Sequence, residues 1–167
     1  MNSAHLSSSE VEPLVRGKTW EEMTAGFRFK TAKRTVTESD LTTFVNLGGF
    51  NEPLFSDASH AATRGYQGRL VPGALTYCIA EGLIVQSNFL NGTGLAFMHM
   101  ELWVERPVYV GDTLLAVCTV TESRPSSKPG RGVVTATVSV RNQRDEEVLV
   151  FTPVRLIRGA DFIEADS

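Results

Sequence analysis

The sequence has no run of about 18 or more apolar residues, the length that a membrane-spanning helix requires. Its longest apolar stretch, residues 74–85, is interrupted by Thr76, Glu81 and Gly82. The first nine residues contain neither the basic nor the apolar segment of a secretory signal. We therefore expect a cytoplasmic protein that has no membrane partner.

Cysteine and histidine are scarce, with two of the former and three of the latter. His5, His60 and His99 are dispersed and form none of the short spacings typical of zinc ligands, so we expect no metal site and no metal cofactor. Cys78 lies in an apolar segment and Cys118 in an alternating one. We expect both thiols to be buried and reduced.

Basic residues are outnumbered, since 16 Lys and Arg oppose 19 Asp and Glu for a net charge of −3. This balance argues against a nucleic acid partner, which needs a basic surface. With 167 residues, of which 42% are hydrophobic, the chain can build one core without disulfides. We expect a flexible arm over residues 1–15, one domain over 16–159 and a tail over 160–167.

The N-terminal half reads as an extended segment followed by helices. Residues 26–36 are predicted to be extended, and Thr37 to Asp40 form a capping signal for a short helix that ends at Gly48–Gly49. An irregular loop is expected over residues 50–57, with a short helical piece after it at 58–63. A second helix is predicted from Pro72, as its first position, to about Ser87. Its apolar residues cover several faces, which indicates burial on most sides.

The C-terminal half has the alternating pattern of β-strands. Four strands are predicted, at residues 95–104, 113–123, 133–142 and 148–157, and their succession favours an antiparallel meander. The sequence therefore predicts an α+β fold in which an antiparallel sheet wraps around a central helix at about residues 72–87. Such a sheet leaves an edge free, so we expect two subunits to pair.

Three ordered segments resemble one known family. They are Phe44 to Leu47 leading into Pro53 to Asp57, then Gly68 to Gly73, then Arg106 to Leu114. In order and spacing they are similar to the MaoC-like (R)-specific enoyl-CoA hydratases and dehydratases of the hot-dog fold. The resemblance implies a single hot-dog domain, a homodimer or higher homo-oligomer, and an acyl thioester substrate on CoA or on a carrier protein. No cofactor is implied beyond the coenzyme A of the substrate.

The resemblance also locates the catalytic pair of the family, an aspartate and a histidine in a loop of the form Asp-x-Asn-Pro-x-His. Phe55 occupies the histidine position, and the aspartate position falls on Phe50, or on Gly49 if one residue is inserted. Neither position carries a titratable group, so this chain lacks the general acid–base pair of the hydratases. In the alignment with one inserted residue, Asn51 matches the asparagine of the family. We therefore expect Asn51 to lie in the substrate site.

Two residues of the central helix are candidates for chemistry. Gly73 can present a backbone N–H at the positive end of the helix to a thioester oxygen, or it only permits a tight turn. Glu81, eight positions later, resembles the catalytic carboxylate of some hot-dog thioesterases. The alternative is a structural Glu81 that reaches solvent or pairs with an arginine.

The loop offers further candidates. Glu52 could replace part of the missing pair, whereas Asp57 either lines the site or orders the loop by accepting backbone N–H bonds. Phe50, Phe55 and Tyr77 could line an acyl tunnel, or belong to the core. Arg69 is a candidate for the CoA phosphates, because guanidinium groups bind phosphate through two hydrogen bonds.

These residues lead to three functional hypotheses. Thioester hydrolysis is the first, with water activated by Glu81 or Glu52 and the oxyanion bound at the Gly73 amide. The second is hydration or dehydration with Glu52 as the acid–base group. The third is a non-catalytic acyl-CoA-binding subunit that needs a catalytic partner.

Overall fold

The computed structural model of the chain describes residue 11 and residues 13–163, so most of the expected N-terminal arm and the end of the tail lie outside the described residues. Its centre is a six-stranded antiparallel sheet in the order β1-β4-β5-β6-β3, with β2 also pairing with β4. The strands are β1 (Arg28–Lys30), β2 (Arg34–Thr35), β3 (Gly94–Val104), β4 (Thr113–Pro125), β5 (Arg131–Arg141) and β6 (Glu147–Arg158).

Four helices precede the long strands: α1 (Glu38–Gly48), α2 (Pro53–Ser56), α3 (Ala58–Thr63) and α4 (Gly73–Gln86). The predicted cap of α1 is confirmed, since Thr37 and Asp40 bond reciprocally as a capping box. Gly49 ends α1 in the left-handed conformation, with φ at +69°. The expected irregular loop is wrong in one detail, because α2 forms a helical turn that starts on Pro53.

Helix α4 is the central helix, and the α+β hot-dog architecture is confirmed. Its residues Leu75, Ile79, Leu83 and Ile84 are buried against the sheet. Pro72 lies at the N-cap rather than at the first helical position, so α4 begins one residue later than predicted.

The expectation that α4 is buried on most sides is wrong. Ala74, Cys78 and Val85 are exposed, on a side of the helix that nothing in the described chain covers. The predicted burial of Cys78 is wrong for the same reason, whereas Cys118 is buried as expected.

The predicted meander holds only for β4, β5 and β6. Strand β3 pairs with β6 at the far edge of the sheet instead of with β4. The free edge of β4 is taken by β1 and β2, so only the edge of β6 remains for β3. The segment predicted to be extended over 26–36 contains these two short strands, which residues 31–33 separate. The hydroxyl of Thr31 accepts from the amide of Ala116 at 3.0 Å.

Within the described residues, strand β3 is an open edge with an apolar surface. Its large apolar side chains Leu95, Phe97, Met98, Trp103 and Val104 are all more than a third exposed. No helix within the described residues is both long and apolar enough to cross a membrane.

Candidate functional site

A cleft of about 350 Å³ opens at the N-terminal end of α4, between α2 and the end of β3. We call it the α4 cleft. Its walls are mostly apolar and include Leu54, Phe55, Leu70, Val71 and Val104. Its polar lining comes from Tyr66, Thr76, Glu105 and Arg106. A concave apolar cavity with a few polar groups is the usual form of a small-molecule site.

Gly73 lies in this cleft as the first residue of α4. A Cβ atom at this position would lie 2.8 Å from Cγ2 of Val104, so a larger residue here would require the Val104 side chain, α4 or β3 to shift. The first N–H groups of a helix have no acceptor within the helix, and they carry its positive partial charge. This end of α4 can therefore donate to an oxygen that develops negative charge.

One aromatic ring of this region lines the cleft, that of Phe55 on α2, and it does so together with Gly73. The ring of Phe50, in the loop before α2, lies 5.1 Å from that of Phe44 and 6.5 Å from that of Phe55, measured between centroids. Phe50 itself does not line the cleft and is 37% exposed. Two of the positions that the resemblance assigns to proton transfer thus carry neighbouring aromatic rings, and only Phe55 reaches the cleft.

Arg69 fixes this loop rather than extending into solvent. Its Nε donates to the carbonyl oxygen of Phe55 at 2.8 Å, and its Nη1 pairs with the carboxylate of Glu38 on α1. Arg69 lines a second cavity, on the side of Gln67 and Asp112, and not the α4 cleft. Its guanidinium is therefore occupied in holding the backbone of Phe55 to α1.

Glu52 lies next to the α4 cleft. It lines a neighbouring cavity with His60 and Arg64, and the two cavities share Leu54 and Tyr66. Glu52 occupies the N-cap position of α2 but makes no side-chain cap bond. The carboxylate of Glu52 is therefore not engaged in capping α2.

Asp57 and Asn51 differ from Glu52 in what they do. Asp57 caps α3, since its Oδ1 accepts from the amide of Ser59 at 2.8 Å and from that of His60 at 3.2 Å. The Ser59 hydroxyl first, and then these amides, hold the pKa of Asp57 below its usual value. Asn51 is exposed, and neither residue lines the α4 cleft.

Glu81 lies away from the cleft and has an arginine partner in its own chain. Both carboxylate oxygens accept from Nη2 of Arg155 at 2.6 Å. The side chains of Arg155 and Glu81 are only 7% and 19% exposed, so this pair lies in the interior between α4 and β6. The guanidinium also lies over the ring of Phe97, 5.3 Å from its centroid.

Tyr77 belongs to the same interior layer, one turn before Glu81. Its ring meets that of Phe151 edge to face, with centroids 5.1 Å apart. Burial and, second, the charge of Glu81 raise the pKa of Tyr77, so its phenol stays protonated at neutral pH. Tyr77 packs on the core and does not line the α4 cleft.

Sequence reasoning missed all four polar residues of the cleft, namely Tyr66, Thr76, Glu105 and Arg106. Arg106 begins the third segment that carries the family resemblance, so its position at the end of a strand was the available signal. Tyr66 and Glu105 belong to no motif. Among the described residues, no group of three or more His, Cys, Asp or Glu side chains could hold a metal ion.

Comparison with known proteins gives a family match over most of the chain. The model of the FAS1-like dehydratase domain region matches residues 23–151. An (R)-specific enoyl-CoA hydratase from Rhodospirillum rubrum is 28% identical over 122 residues, which are 73% of this chain and 83% of the hydratase.

Two solved structures extend the comparison. A monoamine oxidase regulatory protein from Archaeoglobus fulgidus is 31% identical with a TM-score of 0.80, over 87% of this chain and 97% of that one. A MaoC domain protein dehydratase from Chloroflexus aurantiacus is 25% identical with a TM-score of 0.83. That match covers 93% of this chain but only 45% of the dehydratase.

Proposed function

The chain belongs to the family of FAS1-like dehydratase domain regions, within the MaoC-like hot-dog group, and from that premise we propose that its α4 cleft binds an acyl thioester. The thioester carbonyl lies at the Gly73 amide, and the acyl chain lies along the apolar wall formed by Phe55. The chain works as one unit of a pair, in which the other unit supplies the acid–base groups.

The apolar character of the loop carries this proposal. Hydration of an enoyl thioester needs a general base for water and an acid for the α-carbon, and general acid–base groups contribute about 10²- to 10⁴-fold to the rate. Phe50 and Phe55 can transfer no proton, but Phe55, which lines the cleft, can contact an alkyl chain. The cleft is thus better suited to holding the substrate than to activating water.

The open edge of β3 supports the pairing. An exposed apolar edge strand is a site where a second chain adds to the sheet. The dehydratase from Chloroflexus aurantiacus is long enough to contain a second unit of the same size beside the matched one. The end of β3 also borders the α4 cleft through Val104, so a unit added there would lie next to the substrate. A homodimer can form through the same edge, but its second copy also carries Phe50 and Phe55, so a pair with the acid–base groups needs a different hot-dog unit.

Hydrolysis of the thioester is the second candidate, and the free carboxylate of Glu52 favours it. Glu81 is less suitable, because Arg155 binds both of its oxygens. Eight residues of helix also separate Glu81 from Gly73 by about 12 Å, too far for both to act on one carbonyl from the same chain. Glu52 would serve equally as the base in an unusual hydration.

The test is to incubate the purified protein with a panel of saturated and trans-2-enoyl-CoA esters and analyse the mixture by mass spectrometry. We expect a bound ester and no product from the protein alone. Hydration should appear when a hot-dog unit with an intact Asp-x-Asn-Pro-x-His loop is added.

Free CoA would instead establish hydrolysis, and a water adduct made by the protein alone would establish hydration. In either case Glu52→Gln should abolish the product, with Glu81→Gln as the matched control. Failure to bind any ester would overturn the proposal, unless the corresponding carrier-protein thioester binds. The cytoplasmic location stays a prediction from the sequence.

A further inference from the structure

A second cavity lies at the opposite end of α4 from the cleft, where residues 87–89 leave the helix. It has a volume of about 410 Å³, within the range of about 300–1,000 Å³ that small-molecule sites occupy. We call it the aromatic pocket, after the rings of Phe27, Phe29 and Phe89 that line it. Nothing in the proposed thioester chemistry uses it.

The three rings form one continuous surface. The centroids of Phe29 and Phe89 are 4.5 Å apart, and the rings of Phe27 and Phe89 are nearly parallel, at 7° and 6.0 Å. All three side chains are half-buried, so each presents part of its ring to the cavity while the remainder packs on the interior. A flat apolar group can lie on such a surface by stacking or edge contacts.

The charges around the rings are predominantly positive, in a chain whose net charge is −3. Arg16 lines the pocket but already interacts with another group, so the charges that count are those of Lys18 and Lys30 against the carboxylate of Glu22. Glu22 is already 3.6 Å from Nζ of Lys18, which also lies over the ring of Phe27 at 5.4 Å. The pocket therefore has a net positive lining, which attracts anions.

We propose that the aromatic pocket binds a small monoanion with a flat aromatic body, such as an aryl carboxylate. The rings of Phe29 and Phe89 contact the body, and the anionic group points to the rim that Lys30 forms. The site is independent of the α4 cleft, because the two lie at opposite ends of a 14-residue helix and share no lining residue.

Calorimetry with 2-naphthoate and its neutral isostere 2-naphthalenemethanol tests the proposal in the full chain. We expect the carboxylate to bind at least about threefold more tightly at low salt, since opposite charges attract across a few ångströms of partly exposed surface. Raising the salt concentration to about 0.5 M should remove most of that preference. Equal affinities for the two ligands, or no saturable binding of naphthoate, would overturn it.

A pair of charge reversals locates the site. Lys30 is exposed, so Lys30→Glu should leave folding intact and should weaken naphthoate at least about threefold without affecting the neutral alcohol. Arg106→Glu makes the same change at the α4 cleft and should leave both affinities unchanged. The reverse pattern would place the ligand in the α4 cleft and contradict the proposal. The outcome does not depend on thioester binding, so the two proposals fail separately.

Discussion

Strands β6 and β3 are neighbours in one sheet, nearly equal in length and similarly apolar, yet their side chains meet opposite surroundings. In β6, Leu149 and Phe151 are completely buried. In β3, Phe97 and Trp103 remain 46% and 47% exposed. Strand β6 has a strand partner on each edge and α4 across its inner face, whereas β3 pairs with β6 on one edge alone within the described residues and meets α4 closely at its end, where Val104 lies beside Gly73. Apolar composition therefore does not decide burial here, and position in the sheet does.

The difference supports the proposal that β3 contacts a second unit. Large apolar side chains are exposed along its length, while the residues that face the core, Met100 and Leu102, are partly buried. Contiguous exposed apolar surface of this kind marks an interaction site more often than a free surface. The covered strand and the open strand can be compared directly by substitution.

The largest expected effect is a difference in the free energy of unfolding between alanine substitutions of two phenylalanines, one in β6 and one in β3. Phe151→Ala should lower the free energy of unfolding by about 3–5 kcal/mol, because it removes a fully buried ring and leaves a cavity. Phe97→Ala should lower it by about 1 kcal/mol, chiefly through its contact with the guanidinium of Arg155. Urea denaturation of the two variants, at a concentration where the chain is monomeric, measures both values. Equal losses would mean that β3 is as well packed as β6.

The buried thiol of Cys118 predicts how the stability of the fold depends on pH. Burial raises the pKa of Cys118 to about 11, from an ordinary value of 9.0. The folded state therefore holds this proton more tightly than the unfolded state. The stability that the buried, protonated Cys118 thiol contributes is fully present below pH 9 and is lost as the pH rises toward about 11. We expect a loss of about 2 kcal/mol at pH 11 relative to Cys118→Ala, since each pKa unit corresponds to about 1.4 kcal/mol.

A labelling experiment checks the same contrast at pH 8. Ellman's reagent should modify the exposed Cys78 in the native protein and reach Cys118 only after denaturation. Two thiols reacting at equal rates in the native state would show that the sheet does not protect Cys118.

The smallest effect concerns association rather than folding. Trp103→Lys should raise the dissociation constant of the homodimer at least about tenfold, because it places a charge on the apolar edge. Leu47→Lys, at an even more exposed apolar residue on α1, is the matched control and should leave it unchanged. Sedimentation velocity measures both. A wild-type chain that remains monomeric at high concentration would contradict homodimerisation and favour a different hot-dog unit as the partner.

Much of the fold could be predicted from local signals. Thr37 and Asp40 define the start of α1 because a capping box is read from four consecutive residues. The alternation in β4, β5 and β6 is equally local. The place of β3 could not be predicted in this way, because it depends on which edge of β4 the distant segments β1 and β2 occupy.

The candidate site likewise contains residues that local sequence patterns could identify and contacts that they could not. Gly73 and Phe55 belong to motifs, and the structure brings them to one cleft. The ion pair of Glu81 joins residues 74 positions apart, so no local pattern could identify Arg155 as its partner. The contact of Arg69 with the Phe55 carbonyl is similarly hidden, because a backbone acceptor leaves no trace in the sequence.

The contact between Gly73 and Val104 links the variation of two positions that lie 31 residues apart in the chain. Any side chain larger than hydrogen at position 73 would overlap Cγ2 of Val104 unless Val104 changed its side-chain conformation or the strand or the helix moved. Loss of the glycine therefore calls for a different conformation of Val104, a smaller residue at position 104, or a shift of β3 away from α4. The effect of a substitution at the start of the helix should therefore depend on which residue occupies the end of the edge strand.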